Sequence, residues 1–273
     1  MRRAKRAWGF ERLESRSLLT GTVNASLIQI PNDPVLFIAG DNANNHIVIH
    51  ETRSFDGTIN VKVDGIGTTI KASYQSLARP VTYKLPNYSG TSFVFRVKEI
   101  HINMGGGNDA LEIYKTNLPG SLDINMGGGN DTLWMKNVHF AEPPNGTIVS
   151  QFSWLPTIRL GGGDDLAVVN NVSSTTDLNI DAGIGHDTVR MNGVAAGSIG
   201  SGNTITVDMG PGKADRLRVL DSTADHAVFN YSGKGGALIK AIPLHDPSGT
   251  LAWSTDSNHF GDEIESGFQK VGA

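Results

Sequence analysis

Five glycine-rich segments of this 273-residue sequence carry an aspartate at a matching position. The segment "INMGGGND" at 102–109 returns unchanged at 124–131, and related segments follow as "IRLGGGDD" (158–165), "IDAGIGHD" (180–187) and "VDMGPGKAD" (207–215). Carboxylates and the free backbone carbonyls of a glycine turn are the hard oxygen ligands that Ca²⁺ prefers. No set of His and Cys residues competes for Zn²⁺, since the chain has no Cys. The residue types therefore predict a row of calcium sites.

The repeated acids need a counter-charge if these turns stack. Hydrogen-bonded strands lie ~4.8 Å apart, and two carboxylates about 5 Å apart repel by ~3 kcal/mol at an effective dielectric of about 20. A cation between them removes that cost. The alternative is a tight turn whose polar residues face water. That alternative explains one copy well, but it explains less well why the acid keeps one offset, with a single extra residue before Asp215.

The spacing of the segments predicts the elements that position the acids. The first motif glycines are Gly105, Gly127, Gly161, Gly183 and Gly210. Their separations of 22, 34, 22 and 27 residues indicate a constant unit with insertions. Apolar and polar residues alternate on both sides of each turn, which is the period of a half-buried strand. One unit cannot bury its apolar face, but stacked copies can. We therefore expect an all-β fold, a parallel β-helix or β-roll-like solenoid with about 22-residue coils and irregular caps.

The sequence divides into four regions on this reading. Residues 1–21 form a basic leader, targeting or disordered segment, and 22–100 form an N-terminal cap. Within the cap we expect a degenerate first coil, with Asn45 at the position of the repeat aspartate, and a hairpin over "GTINVKVDGIGTTIKAS" (57–73). Residues 101–220 form the Gly-Asp repeat solenoid, and 221–273 form C-terminal coils or a cap.

The repeats resemble the haemolysin-type, or RTX, calcium-binding repeats, whose pattern is G-G-x-G-x-D-x-U-x and whose fold is a parallel β-roll. The resemblance covers about 100–220 and implies that glycine carbonyls and aspartate side chains bind calcium. The implied ligands are Gly105, Gly107, Asp109, Gly127, Gly129, Asp131, Gly161, Gly163, Asp165, Gly183, Gly185 and Asp187, with Asp215 from the fifth copy. The family's first glycine is replaced by Met104, Met126, Leu160 and Ala182, and its nine-residue period is absent. These departures imply at most one row of ions.

The N-terminal stretch indicates where the protein acts. "FERLESRSLLTG" (10–21) resembles the "LEPRxLLSG"-type segment near the N-termini of many planctomycete exported proteins, with Ser15 where that family usually has Pro. This resemblance implies an extracellular or cell-surface location in a bacterium. The sequence contains no run of 18 apolar residues, so we expect no transmembrane helix. The net charge of −4 gives no overall field for nucleic acid, and none is expected as a partner.

The pattern favours a non-enzymatic function. We expect a secreted or cell-surface calcium-binding repeat protein, a structural or interaction module whose folding Ca²⁺ stabilises. No G-x-S-x-G, H-E-x-x-H or P-loop motif is present. The alternative is a carbohydrate-acting β-helix enzyme or a carbohydrate-binding module of the cell envelope. The candidate partners are calcium ions and, beyond them, a cell-surface polysaccharide or another envelope protein.

Overall fold

The computed structural model describes residues 21–30, 33–53, 59–76, 83–84, 88–97, 99–119, 122–141, 156–197, 202–211, 215–222, 224, 226–231, 238–242 and 252–255. These residues contain strands and no helix, which confirms the all-β prediction. The strands are β1 (Thr22–Ile30), β2 (Asp33–Ala39), β3 (His46–Arg53), β4 (Ile59–Gly65), β5 (Thr69–Ser76), β6 (Tyr83–Lys84), β7 (Tyr88–Gly90), β8 (Ser92–Arg96), β9 (Glu99–Asn103), β10 (Ala110–Pro119) and β11 (Leu122–Asn125). They continue as β12 (Thr132–Ala141), β13 (Thr157–Arg159), β14 (Leu166–Ser174), β15 (Leu178–Asp181), β16 (Thr188–Asn192), β17 (Ala195–Ala196), β18 (Thr204–Asp208), β19 (Arg216–Leu220), β20 (His226–Tyr231), β21 (Leu238–Ile242) and β22 (Ala252–Thr255).

The described strands form two mixed sheets. Sheet 1 has the order β22-β20-β18-β15-β13-β11-β9-β2-β1-β5-β6, and β7 also pairs with β5. Sheet 2 has the order β21-β19-β16-β14-β12-β10-β3-β4-β8, and β17 also pairs with β14. From β9 onward every pairing in either sheet is parallel. Apart from the short β17, the chain therefore alternates between the sheets, and each strand pairs with the next strand of its own sheet.

The register of the parallel strands follows the sequence repeat. Leu111 of β10 pairs with Leu133 of β12, 22 residues later, and Ala167 of β14 pairs with Val189 of β16 at the same separation. Ile124 pairs with Ile158 across the 34-residue interval. We use the term layer for one strand of sheet 1, the glycine turn that follows and the next strand of sheet 2. Equivalent residues of successive repeats lie side by side in successive layers.

One continuous core lies between the sheets. In β12 the side chains of Leu133 and Met135 are buried, whereas that of Trp134 is 49% exposed, so the alternation expected for a half-buried strand is present. The residues that replace the first glycine of the RTX pattern are all fully buried: Met104, Met126, Leu160 and Ala182. This departure from the family pattern thus supplies one apolar side chain per layer to the core.

A column of left-handed residues bends the strands of sheet 2, and the sequence analysis missed it. The positive-φ residues of this column lie six positions after each repeat aspartate: Lys115 (φ 51), Asn137 (φ 55), Asn171 (φ 51), Gly193 (φ 63) and Asp221 (φ 46). Asn, Asp and Gly tolerate this conformation. Their recurrence six positions after the aspartate is the sequence feature that could have predicted the column. The side chain of Asn171 donates a hydrogen bond to Oδ1 of Asn137 at 2.7 Å, which links the positive-φ residues of β12 and β14.

Lys115 is the residue of this column least suited to a positive φ. We expect Lys115→Gly to raise the free energy of unfolding by about 0.5–1 kcal/mol, since relief of left-handed strain exceeds the entropy cost of glycine. Chemical denaturation measures the change. Lys136→Gly, at a regular strand position, serves as the control and lowers stability instead. A loss of stability in Lys115→Gly would contradict the strained corner.

The N-terminal strands extend both sheets with antiparallel pairs, β1 with β2 and β3 with β4. β2 pairs with β9 and β3 with β10, so these strands form the layer before the first repeat. The hairpin predicted over 57–73 is wrong, because β4 pairs with β3 and β8 in sheet 2, whereas β5 pairs with β1 in sheet 1. The turn at 65–68 carries the chain between sheets, and the buried Thr68 accepts a hydrogen bond from the His46 N–H at 2.8 Å.

The last described strands continue the parallel pairing. Val207 of β18 pairs with Phe229 of β20, and Leu217 of β19 pairs with Ile239 of β21. Most of the segment predicted as a leader (1–20), residues 142–155 within the 34-residue interval and the terminal residues 256–273 lie outside the described residues.

Candidate cation-binding turns

The glycine turns stack on one another in register. Gly106 bridges to Gly128, Gly128 to Gly162, and Gly162 to Ile184, each in the parallel sense. In the first three repeats the glycines on either side of this middle residue have positive φ, as in Gly105 (φ 94) and Gly107 (φ 103). The sequence-predicted residues of the first four repeats therefore come together in one column at one end of the strands.

Packing between layers explains which positions must be glycine. A Cβ on Gly127 would overlap the carbonyl oxygen of Gly105, and one on Gly129 would overlap the carbonyl oxygen of Gly107. In contrast, a Cβ on the middle Gly128 would meet no atom within 4 Å. The fourth repeat has Ile184 at this middle position, and its side chain is 65% exposed. Two of the three glycines thus permit close stacking, and the middle one faces open space in the second and third repeats.

The five repeat aspartates form a buried column. Their side chains are 0–3% exposed: Asp109, Asp131, Asp165, Asp187 and Asp215. Oδ1 of each accepts a hydrogen bond from the backbone N–H of the equivalent residue in the preceding layer, at 2.7–3.0 Å. The first donor is Asn45, which is itself fully buried and occupies the aspartate position of its layer. These backbone contacts are a second role for the acids, which the sequence analysis did not foresee.

The second oxygen of each carboxyl group is left without a partner. Oδ2 is buried and accepts no hydrogen bond in all five aspartates, and the same holds for Oδ1 of Asn45. A buried unsatisfied oxygen costs about 1–3 kcal/mol, and more when the group is charged. The column therefore contains a row of acceptor atoms that lack a donor or cation among the described residues.

Burial raises the pKa of these carboxyl groups. Desolvation is the largest cause in every case, and it raises the pKa of Asp109 and Asp165 to about 6 and that of Asp131 and Asp187 to about 7. The pKa of Asp215 is also raised by burial. Hydrogen bonds from the backbone oppose the shift, whereas neighbouring aspartates add to it for Asp109, Asp131, Asp165 and Asp187. The ionised column is thus unfavourable unless positive charge compensates it.

A second, exposed column lies one residue before the aspartates. Asn108 N–H donates to Oδ1 of Asn44, Asn130 N–H to Asn108, and Asp164 N–H to Asn130, at 2.8–2.9 Å. The His186 N–H then donates to Oδ1 of Asp164 at 3.0 Å. The direction is opposite to that of the buried column, because here each side chain accepts from the following layer. The chain therefore contains an amide-rich hydrogen-bond column beside the acidic one.

The glycine carbonyls named as candidate ligands differ in availability. The carbonyl oxygens of Gly105, Gly127 and Gly161 accept hydrogen bonds from the N–H groups of the middle residues of the next layer. Those of Gly107, Gly129 and Gly163 accept none from the described backbone. The second set of carbonyls is therefore the better source of oxygen ligands. No group of three or more His, Cys, Asp and Glu side chains that could hold a metal occurs within the described part of the chain.

The fold and the turns together define an all-β protein with stacked Gly-Asp turns. Comparison with protein-family models, curated proteins and solved structures finds no match for this chain. Among the described residues there is no helix that could span a membrane.

Proposed function

We propose that the protein is a calcium-stabilised structural or interaction module outside the cell, built as a parallel β-solenoid. The observation that carries this proposal is the row of five buried, unpartnered Oδ2 atoms. Divalent cations bound along the column would satisfy these oxygens and offset the repulsion between carboxylates. Ca²⁺ is the preferred ion because the available ligands are carboxylate and carbonyl oxygens.

The parallel register supports the solenoid part of the proposal. Repeats of 22 residues bring equivalent side chains side by side in both sheets. Each repeat alone exposes an apolar face that its neighbours cover, so stability depends on contacts between adjacent layers. An ion held by two layers would strengthen the contact on which the fold depends. Calcium binding and folding are therefore coupled, and the extracellular medium supplies calcium at millimolar concentration.

An Asp131→Asn variant separates the two roles of the buried column. The oxygen of the Asn side chain can still accept the hydrogen bond from the Asp109 N–H. The unpartnered Oδ2 of Asp131 is replaced by an amide nitrogen, which cannot bind a cation. We expect calcium to raise the melting temperature of the wild type by several degrees and that of the variant by less. The calcium-free variant keeps its stability or gains some, because a buried charge is removed.

Asp164→Asn is the matched control. Asp164 belongs to the exposed column, where the equivalent residue of the preceding layer is already Asn130. Its calcium response is expected to equal that of the wild type. Differential scanning calorimetry with added CaCl₂, MgCl₂ or EDTA measures the response. A wild-type melting temperature insensitive to CaCl₂ and EDTA would rule out the proposal, as would a full calcium response in Asp131→Asn.

A further inference from the structure

The outer side of sheet 2 carries an unusual concentration of positive charge for an acidic protein. We define the basic face as the outward side chains of β10, β12, β14, β16 and β19 together with the column of positive-φ residues beside them. Its exposed cations are Lys115, Lys136, Arg190, Arg216 and Arg218. The five strands contain a single carboxylate, Glu112, whose Oε1 lies 2.8 Å from Nε2 of His46, and Asp221 of the positive-φ column directly follows β19. None of the five cations forms an ion pair with any described acid.

Outside these five strands, most acids of the described strands lie on the other sheet, although β3 and β4 of sheet 2 carry one each. Outward positions of sheet 1 carry Asp123, Asp181 and Asp208, and the only ion pair between Lys or Arg and an acid among its described residues joins Arg159 to Asp123 at 2.7 Å. The outward sides of the two sheets in this part of the fold therefore differ in charge. Segregated charge of this kind creates a local positive potential that the net charge conceals.

The arrangement of the arginines carries an energetic cost. Arg190 of β16 and Arg218 of β19 are direct cross-strand partners, and Arg216 lies two positions before Arg218. Like charges directly opposite one another in a sheet are destabilising. An anion bound across β16 and β19 would remove this repulsion.

A shallow cavity continues the basic face towards β10. It has a volume of about 500 Å³ and is lined by Tyr114, Trp134, Lys136, Asn137 and Asn170, together with Glu112. Trp134 is half exposed and therefore offers a flat aromatic surface to a ligand. Cation, amide and carboxylate groups surround this surface. Aromatic contact combined with hydrogen-bond donors and acceptors is suited to a ring that has both C–H faces and hydroxyl groups.

We propose that the basic face binds a linear acidic polysaccharide that carries carboxylate groups. Sugar rings stack on Trp134, and carboxylates of following units contact Lys136, Arg190 and Arg218. The five strands span about 19 Å at ~4.8 Å per step, enough for several sugar units. Glu112, Asn137 and Asn170 favour a hydroxyl-rich ring beside Trp134, since carboxylate and amide oxygens accept hydrogen bonds from sugar hydroxyl groups. This binding is distinct from the cation-binding turns and does not depend on them.

The test is isothermal titration of the full chain with a short oligogalacturonate, at low ionic strength and with the same calcium concentration in every arm. We expect Trp134→Ala and the double variant Arg190→Gln/Arg218→Gln each to bind about tenfold more weakly. The double variant also loses much of the salt dependence. Lys71→Gln, which removes an exposed cation from sheet 1, binds as the wild type does. Melting curves verify that the variants are folded, as their exposed positions predict.

Two further probes decide the class of ligand. The methyl-esterified form of the same oligomer keeps the sugar rings but lacks the negative charges, and it is expected to bind at least about tenfold more weakly. A single-stranded DNA oligonucleotide is expected to bind more weakly than the oligogalacturonate. The proposal is overturned if the wild type does not bind the oligogalacturonate, if all variants bind it equally, or if the esterified oligomer or the DNA binds as tightly.

Discussion

Replacing Gly127 by alanine lowers the free energy of unfolding by about 3–5 kcal/mol, whereas the same change at the adjacent Gly128 alters it by less than about 0.5 kcal/mol. Two causes add at Gly127. Its φ of 103° lies outside the regions open to residues with a Cβ, and the added methyl group would overlap the carbonyl oxygen of Gly105. Neighbouring layers cannot move apart without breaking the hydrogen bond from Gly128 N–H to that same oxygen.

Gly128 is the matched control because it differs from Gly127 only in its place within the turn. It has no positive φ, and a methyl group there meets no atom within 4 Å. The fourth repeat already has Ile184 at this position. Equilibrium denaturation of both variants in the presence of calcium measures the difference. Equal destabilisation by the two substitutions would contradict the close stacking of the turns.

In the absence of divalent cations, the melting temperature rises by something of the order of 10 °C when the pH falls from about 7.5 to about 5. Burial raises the pKa of Asp131 and Asp187 to about 7, above the value of 3.8 expected for an exposed aspartate. Between these pKa values the folded state binds more protons than the unfolded state, so stability decreases as pH rises. The stability contributed by the protonated carboxyl groups is fully lost once the pH has risen above their folded-state pKa.

One histidine acts in the same direction and must be separated from the acids. His101 lies 2.7 Å from Oε1 of Glu99 and 3.8 Å from Oδ2 of Asp123, and its hydrogen bond to Glu99 raises its pKa. A raised histidine pKa contributes stability that is present at low pH and is lost as pH rises through the folded-state value. The variant His101→Gln removes this contribution and retains the larger effect of the buried aspartates.

Saturating calcium reverses the trend under the proposed function. Protons and cations compete for the same carboxyl oxygens, so calcium binding weakens as the pH falls. The calcium-bound protein is therefore expected to lose stability on acidification over the range in which the calcium-free protein gains it. Thermal melts at several pH values, with EDTA or with calcium, give both curves. Parallel curves would mean that the buried acids do not bind the ion.

The sequence by itself determined the register of the repeat strands. Alternation predicted that Leu111 and Ile113 face the core, and the 22-residue repeat predicted that Leu111 pairs with Leu133. It also determined that Asp109 and Asp131 are neighbours, because a repeat that buries its apolar face against its own copy must align equivalent residues. Such inferences succeed where one local pattern recurs and each copy imposes the same contact.

Only the tertiary structure decided what each position contacts. The buried hydrogen bond from Asp109 N–H to Oδ1 of Asp131 and the open space beside Gly128 both depend on how one layer sits on the next. The same holds for the turn at 65–68, which moves the chain to the other sheet instead of reversing it within one. Likewise, Arg190 and Arg218 are 28 residues apart in the chain and become direct partners through strand pairing. Local residue patterns specify backbone conformation, whereas burial, pKa and charge clustering arise from atoms that only the folded chain brings together.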